Sequence, residues 1–348
     1  MKLKTWTLRV FINLSFLNLF ACASGVFQYK EVEKLETNKE YNKIIKVKKI
    51  KSEKPPKAEL KPIKESKKKT AKKEKRSKSQ KMEKELEVKG AKLGKKEPSL
   101  EGAEGFRGRR PVKDPFGINE KIILNVKYFT VSAGKLIFEC KNLVEVNGQR
   151  SYHFTISAKT NSFFSKIYKV ENWVETYVDY KKLIPYSLAI HVKESKKLKE
   201  SRSIYNFNTG KATLWEKKVT KGKGEKNRKL TWDIHPFSQN IVSAAFYLRT
   251  FTLRKGKKVA FHVANAGKNI LLKAEVIHEE RLKTDNFEVD TWVLKLEAEK
   301  EDGTSKKTGD IFIWLTKDER KFLVHMESKL KFGTLVGSLK EIHPGRAP

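Results

Sequence analysis

Cys22 stands in the most reactive-looking setting of the sequence, because Leu19-Phe20-Ala21-Cys22 reads as a bacterial lipoprotein cleavage box. Leu lies three positions before the cysteine, a small residue lies directly before it, and the thiol is placed to accept diacylglycerol. Phe20 fits that box less well than a small residue would. The competing reading of Ala21-Cys22-Ala23 is an ordinary A-x-A site, with cleavage after Ala23 and loss of the thiol. The second cysteine, Cys140, shares a strand face with Leu136 and Phe138, so alternation points it into a core as a small apolar residue.

Seven histidines, at 153, 191, 235, 262, 278, 325 and 343, stand singly, with no H-x-H, H-x-x-x-H or H-E-x-x-H spacing to put two ligands on one face. No metal and no cofactor is expected. There is no G-x-S-x-G elbow, Walker loop or dinucleotide fingerprint, and Gly222-Lys-Gly224 and the segment 303–309 read as lysine-flanked hairpin tips. In Val170–Asp179, strand alternation places Glu171, Trp173, Glu175, Tyr177 and Asp179 opposite Val170, Val174, Thr176 and Val178. Trp173, Glu175 and Tyr177 are therefore the candidate lining of a wet pocket, with the solvent side of a sheet as the plainer reading. Glu175 and Asp179 are also the acids that a hydrolase reading would use, although sequence spacing fixes no distance between carboxylates.

The elements that would hold these residues follow from composition. The 348-residue chain carries 76 Lys and Arg against 41 Asp and Glu. Three regions emerge. Met1 to Gly25 has Lys2, Lys4 and Arg9 ahead of an apolar run and then small residues, the order of a secretory leader, with residues 1–22 as the signal peptide in its lipoprotein or ordinary form. Residues 23–113 read as a disordered lysine-rich tether. From Lys30 to Lys113 there are 26 Lys and 4 Arg against 14 Glu, with Tyr41 and Phe106 as the only aromatics, too little apolar surface to offset the entropy of ordering. Gln80 to Leu93 reaches transient helix at most.

Residues 114–348 are where short runs rich in Val, Ile, Phe, Tyr, Trp and Thr recur between turn signals. Twelve strands are expected between Lys121 and Lys331, with tight turns at Asn147-Gly148 and Asn208-Thr209-Gly210. One helix, Gln239 to Thr250, would present Ile241, Ala244, Ala245 and Leu248 on one face. So many antiparallel strands must curl, so the expected fold is mainly β: a strongly curved antiparallel sheet or half-open barrel with one short helix.

Asn125 to Gly134, Thr160 to Tyr168, Trp173 to Asp179, Ser243 to Arg249, Ile313 to Arg320 and Val324 to Lys329 together resemble the bacterial exported domain-of-unknown-function family 3108. The resemblance implies an envelope protein of mainly β structure and brings no activity and no catalytic residues. The basic tether lies outside it.

These readings converge on a protein of the periplasm or cell envelope, membrane-anchored as a lipoprotein, carrying a non-catalytic binding or carrier module for an apolar or amphipathic ligand. The alternatives are an interaction protein linking membrane to anionic cell-wall polymer, and an envelope glycan or lipid hydrolase. The expected partners are the membrane, through a lipid on Cys22 or through the basic tether, and an anionic envelope polymer. Export removes nucleic acid from the expected polyanions.

Overall fold

Period-2 burial runs through the chain from Glu120 onward, and it organises a single large sheet. The computed structural model describes residues 38–50, 106–107, 109–283, 287–301, 310–329 and 333–348. The leader, Cys22, most of the tether, Gln80 to Leu93 and the loop 303–309 lie outside those residues.

In chain order the elements are α1 (Lys39–Ile44), β1 (Val47–Lys49), β2 (Phe106–Arg107), β3 (Arg110–Pro111), β4 (Glu120–Tyr128), β5 (Val131–Cys140), β6 (Val144–Val146) and β7 (Gln149–Thr160). Then come α2 (Ser162–Ile167), β8 (Val170–Asp179), β9 (Pro185–Glu194), β10 (Lys197–Asn206), β11 (Lys211–Thr220), β12 (Gly224–Asp233) and α3 (Ile241–Tyr247), which runs into a 3₁₀ turn, Leu248–Thr250. The rest are β13 (Lys258–Asn265), β14 (Lys268–Lys283), β15 (Glu288–Lys300), β16 (Ile311–Thr316), β17 (Leu323–Lys329) and β18 (Thr334–His343).

Fourteen of these strands follow one antiparallel path, β12-β11-β10-β9-β8-β7-β5-β4-β18-β17-β16-β15-β14-β13, with β6 and β1 added beside β7. The sheet does not close, since β12 and β13 are both edges. It is nevertheless strongly curved: Tyr205 on β10 donates its hydroxyl to the Ala264 carbonyl on β13 at 3.1 Å, and Asn269 at the start of β14 reaches the Asp233 carbonyl at the end of β12 at 3.0 Å. Those contacts join opposite ends of the strand path. The expectation of a curved antiparallel sheet holds, with three short α-helices among the described residues where one was expected.

Helix α3 accounts for the curvature, because the concave face wraps around it. Asn240 caps it, accepting from the Val242 and Ser243 amides at 3.0 and 2.9 Å, while its own side-chain amide donates to Thr176 Oγ1 at 2.7 Å. The expected one-sided apolar face is too narrow a description. Val242, Ser243, Ala244, Phe246 and Tyr247 are all buried, and Phe246 stacks on Phe154 with ring centroids 4.0 Å apart. Phe116, Ile122, Phe138, Val178, Phe261 and Leu294 complete the same core.

Cys140 lies in that core, as its alternation with Leu136 and Phe138 requires, and burial pushes its thiol pKa well up. The Asn147-Gly148 turn has both residues at positive φ, 50° and 82°, the pair of angles a two-residue hairpin demands.

Residues 38–50 differ from the tether expected there. Asn38 caps α1 through the Glu40 and Tyr41 amides, β1 pairs with β6 from Val47↔Val146 to Lys49↔Val144, and Tyr41 and Ile45 are buried against Val144, Val146 and Ile204. One aromatic and one aliphatic residue, together with the β1–β6 pairing, thus dock this segment on the convex face. Residues 109–113 also belong with the fold: Arg110 bonds Asp114 and Tyr152, and its guanidinium lies 3.9 Å from the Tyr180 ring centre.

Candidate functional site

The face of β8 that carries Trp173, Glu175 and Tyr177 is the convex one. Cross-strand register sets His153, Thr155 and Ser157 of β7 opposite Tyr177, Glu175 and Trp173, and His191 of β9 opposite Trp173. Trp173 is 37% exposed and stacks on His191 at 5.8 Å. Glu175 bonds His153 Nε2 at 3.0 Å, and Tyr177 packs beneath the Tyr41 and Ile45 cluster. Burial and the adjacent Glu175 carboxylate raise the Tyr177 phenol pKa. The three residues share one face, and α1 covers the Tyr177 end of it.

Asp179, the other acid of the hydrolase reading, is engaged in structure. It accepts from the Lys181 and Lys182 amides at 2.8 and 2.6 Å and from the Tyr186 hydroxyl at 2.5 Å. Its carboxylate closes the turn between β8 and β9. Among the described residues no three of His, Cys, Asp and Glu gather as a metal-ligand set.

On the concave face, α3 and its aromatic neighbours fill one half. In the other half Val126, Gly134, Leu136, Ala158, Val170, Met326, Leu335 and Gly337 line a shallow apolar depression of about 30 Å³. It exists because small residues fall on adjacent strands, with Val126 between Gly134 and Gly337 in register. That volume holds about two waters. It is far short of a chamber enclosing a lipid.

The largest chemical asymmetry is charge. Residues 114–348 carry 43 Lys and Arg against 27 Asp and Glu, and residues 193–229 alone carry 13 against 4. The ribbon of β10, β11 and β12, with the end of β9, therefore holds nine of the domain's sixteen excess positive charges. Its acids are already shared: Glu194 with Lys197 at 3.6 Å, Glu200 with Arg202 and His191, Glu216 with Lys199 at 2.6 Å, and Glu225 with Lys217 at 3.3 Å. All of residues 221–229 are exposed, and Gly222 and Gly224 turn the hairpin at φ 72° and 69°. Trp215, beside Lys229 and Glu40, adds an aromatic surface.

Sequence reading reduces this hairpin to a lysine-flanked tip, because residues 224–229 of β12 have no apolar alternation. The signal available is the local charge imbalance, which the tether's larger excess masks.

The profile of DUF3108, a family described as protein of unknown function, matches residues 124–340. No curated protein matches the chain. Among solved structures, similarity extends to a β-barrel-like protein of the domain of unknown function DUF1849 from Brucella abortus, at 10% identity and a TM-score of 0.40, over 65% of this chain and 98% of that one. A candidate lipoprotein from Parabacteroides distasonis aligns at 8% identity and a TM-score of 0.29, over 66% of this chain and 98% of that one. A candidate exported protein with a YmcC-like fold from Bacteroides fragilis aligns at 9% identity and a TM-score of 0.28, over 66% and 97%.

Proposed function

We propose, from the premise that this chain belongs to the DUF3108 family, that its domain is a non-catalytic interaction module of the cell envelope that binds anionic polymer through the β10–β12 ribbon. The observation that carries this reading is the nine-charge excess of residues 193–229, within which the exposed hairpin 221–229 holds five Lys and Arg against one Glu. A run of lysines at that density attracts phosphate- or carboxylate-bearing chains by displacing their counterions. The leader in the first 25 residues supports envelope placement, with Cys22 as the candidate lipid attachment. The carrier alternative has weaker support, because α3 and its aromatic neighbours fill half of the concave face and the depression beside Val126 is small. The hydrolase alternative is weaker too, because Glu175 and Asp179 are held in the structural contacts described above.

The test uses the full chain with inorganic polyphosphate as probe and neutral dextran as control. Replacing Lys221, Lys223 and Lys226 by Gln is expected to weaken polyphosphate binding about tenfold or more and to lower the slope of log K against log salt by about 2, at ~0.7 per contact. The tether is unchanged in that variant, so an unaltered slope would assign the binding to the tether and remove the ribbon from it.

A further inference from the structure

Four large apolar side chains project from the end of the sheet where β4 turns into β5 and β7 passes into α2. Phe129 is 60% exposed, Val131 47%, Phe163 61% and Ile167 58%. Leaving such groups in water forgoes their burial energy, and single exposed residues are ordinary, but two projecting pairs on neighbouring elements form a patch.

The pairs are held by a built scaffold. Phe163 and Ile167 lie one helical turn apart in α2, on one side of it. The helix is pinned by Phe164, which packs on Ala133 and Tyr128. Asn161 caps it, accepting from the Phe164 amide at 2.8 Å, and ties it to the β4–β5 hairpin by donating to the Ser132 carbonyl at 2.7 Å. Phe129 stands at φ 52°, its ring 4.8 Å from that of Tyr128 and its amide donating to the Thr334 carbonyl at 3.1 Å. A bulky residue at positive φ is uncommon and needs its surroundings to hold it there. Gly333, at φ 90°, admits the Phe129 ring where a Cβ would clash.

The segments that carry the patch hold only positive charge, with Glu171 just beyond them. Residues 121–138 contain three lysines and no acid, and residues 155–170 likewise contain three lysines and no acid. Lys127, Lys166 and Lys169 are exposed beside the apolar pairs, Lys169 also meeting Glu171 at 3.2 Å. A protein partner would offer complementary pockets of mixed polarity. A bilayer bearing anionic headgroups offers an apolar layer for aromatic and aliphatic tips, with phosphates at the level of the flanking ammonium groups.

We infer that this end of the domain docks on an anionic lipid bilayer, with Phe129, Val131, Phe163 and Ile167 entering the acyl boundary and Lys127, Lys166 and Lys169 meeting the headgroups. The inference does not depend on the polymer reading, whose test contains no lipid.

The experiment measures partitioning of the full chain onto vesicles of phosphatidylglycerol and phosphatidylcholine, with phosphatidylcholine alone for comparison. Phe163→Ser is expected to weaken binding to the anionic vesicles about tenfold and Phe129→Ser with Phe163→Ser about a hundredfold. Both side chains are exposed, so the thermal unfolding midpoint should be retained. In Phe163→Trp, brominated acyl chains should quench emission beyond the quenching of the wild-type tryptophans. Unchanged partitioning of the double Ser variant, or no quenching in Phe163→Trp beyond that of the wild type, would overturn the inference and assign membrane binding to the tether.

Discussion

Arg249 is a buried charge held by a dense set of partners. It is 3% exposed and Glu120 1%. Its guanidinium donates to both Glu120 oxygens, at 2.5 and 3.1 Å, and to the carbonyls of Pro115 and Arg320 at 2.8 Å each. Arg320 closes the set by donating to Glu120 Oε2 at 2.7 Å, and the Gly117 amide adds a bond to the same oxygen at 3.1 Å. Phe116, Phe246 and Phe322 surround the guanidinium within 6.0 Å. Arg249 and Arg320 each end a segment on which the family resemblance rests, so the ends of those two segments serve the fold. Removing one partner of a buried pair leaves an uncompensated charge, so Arg249→Met should lower unfolding free energy by about 3–5 kcal/mol. Arg249→Lys should recover little of it, because one ammonium cannot supply the planar fork. Guanidinium denaturation measures both, and a loss under about 1 kcal/mol in the Met variant would mean that Arg320 alone satisfies Glu120.

Among elements, α1 and β1 show where sequence reading fails through scale. Strand and helix patterns are read over windows of a dozen residues, yet this segment is held by Tyr41 and Ile45 docking in a site formed by distant residues, with Glu40 bonded to Lys229 at 2.7 Å and to the Trp215 indole. Nothing near Tyr41 in the chain announces that site. β12 and β18 were illegible for other reasons: β12 opens as an exposed edge of Glu, Lys, Asn and Arg and alternates only at Leu230 and Trp232, and β18 holds Gly337 and a bulge between Leu339 and Glu341 that breaks its alternation. The central strands, buried on one face and wet on the other, were read directly, as were the Asn147-Gly148 turn and the burial of Cys140. Tyr41→Ala removes the main anchor of α1, a burial of the class that costs about 3–5 kcal/mol in a core. The segment opens locally, so amide protection at Val47–Lys49 should fall sharply while the strands around α3 keep theirs. Hydrogen exchange with mass spectrometry reads the two regions separately, and unchanged protection at β1 would show that pairing with β6 holds the segment without Tyr41.

At the scale of the molecule, curvature was legible because strand number and alternation demand it. The distribution of charge over the surface was not, because composition sums what the fold separates. The same basicity that suits the ribbon to polyanions also protects an open sheet. An edge strand offers unpaired amides and carbonyls to any second copy, and lysines along it oppose such pairing. One edge, β13, is partly satisfied: the Gln239 amide donates to the His262 carbonyl and the Ala264 amide to the Gln239 carbonyl, each at 2.8 Å. The other edge, β12, runs exposed from Gly224 to Lys229, so the charges of Lys226, Arg228 and Lys229 are its defence. Replacing all three by Thr keeps strand propensity and removes the repulsion. That variant should self-associate with rising concentration in sedimentation velocity, while the wild type sediments independently of concentration. Added salt should shift the wild type the same way, since screening weakens like-charge repulsion between two β12 edges. A Thr variant that stays monomeric at all concentrations would mean that the twist of the ribbon guards this edge, and that its lysines serve binding alone.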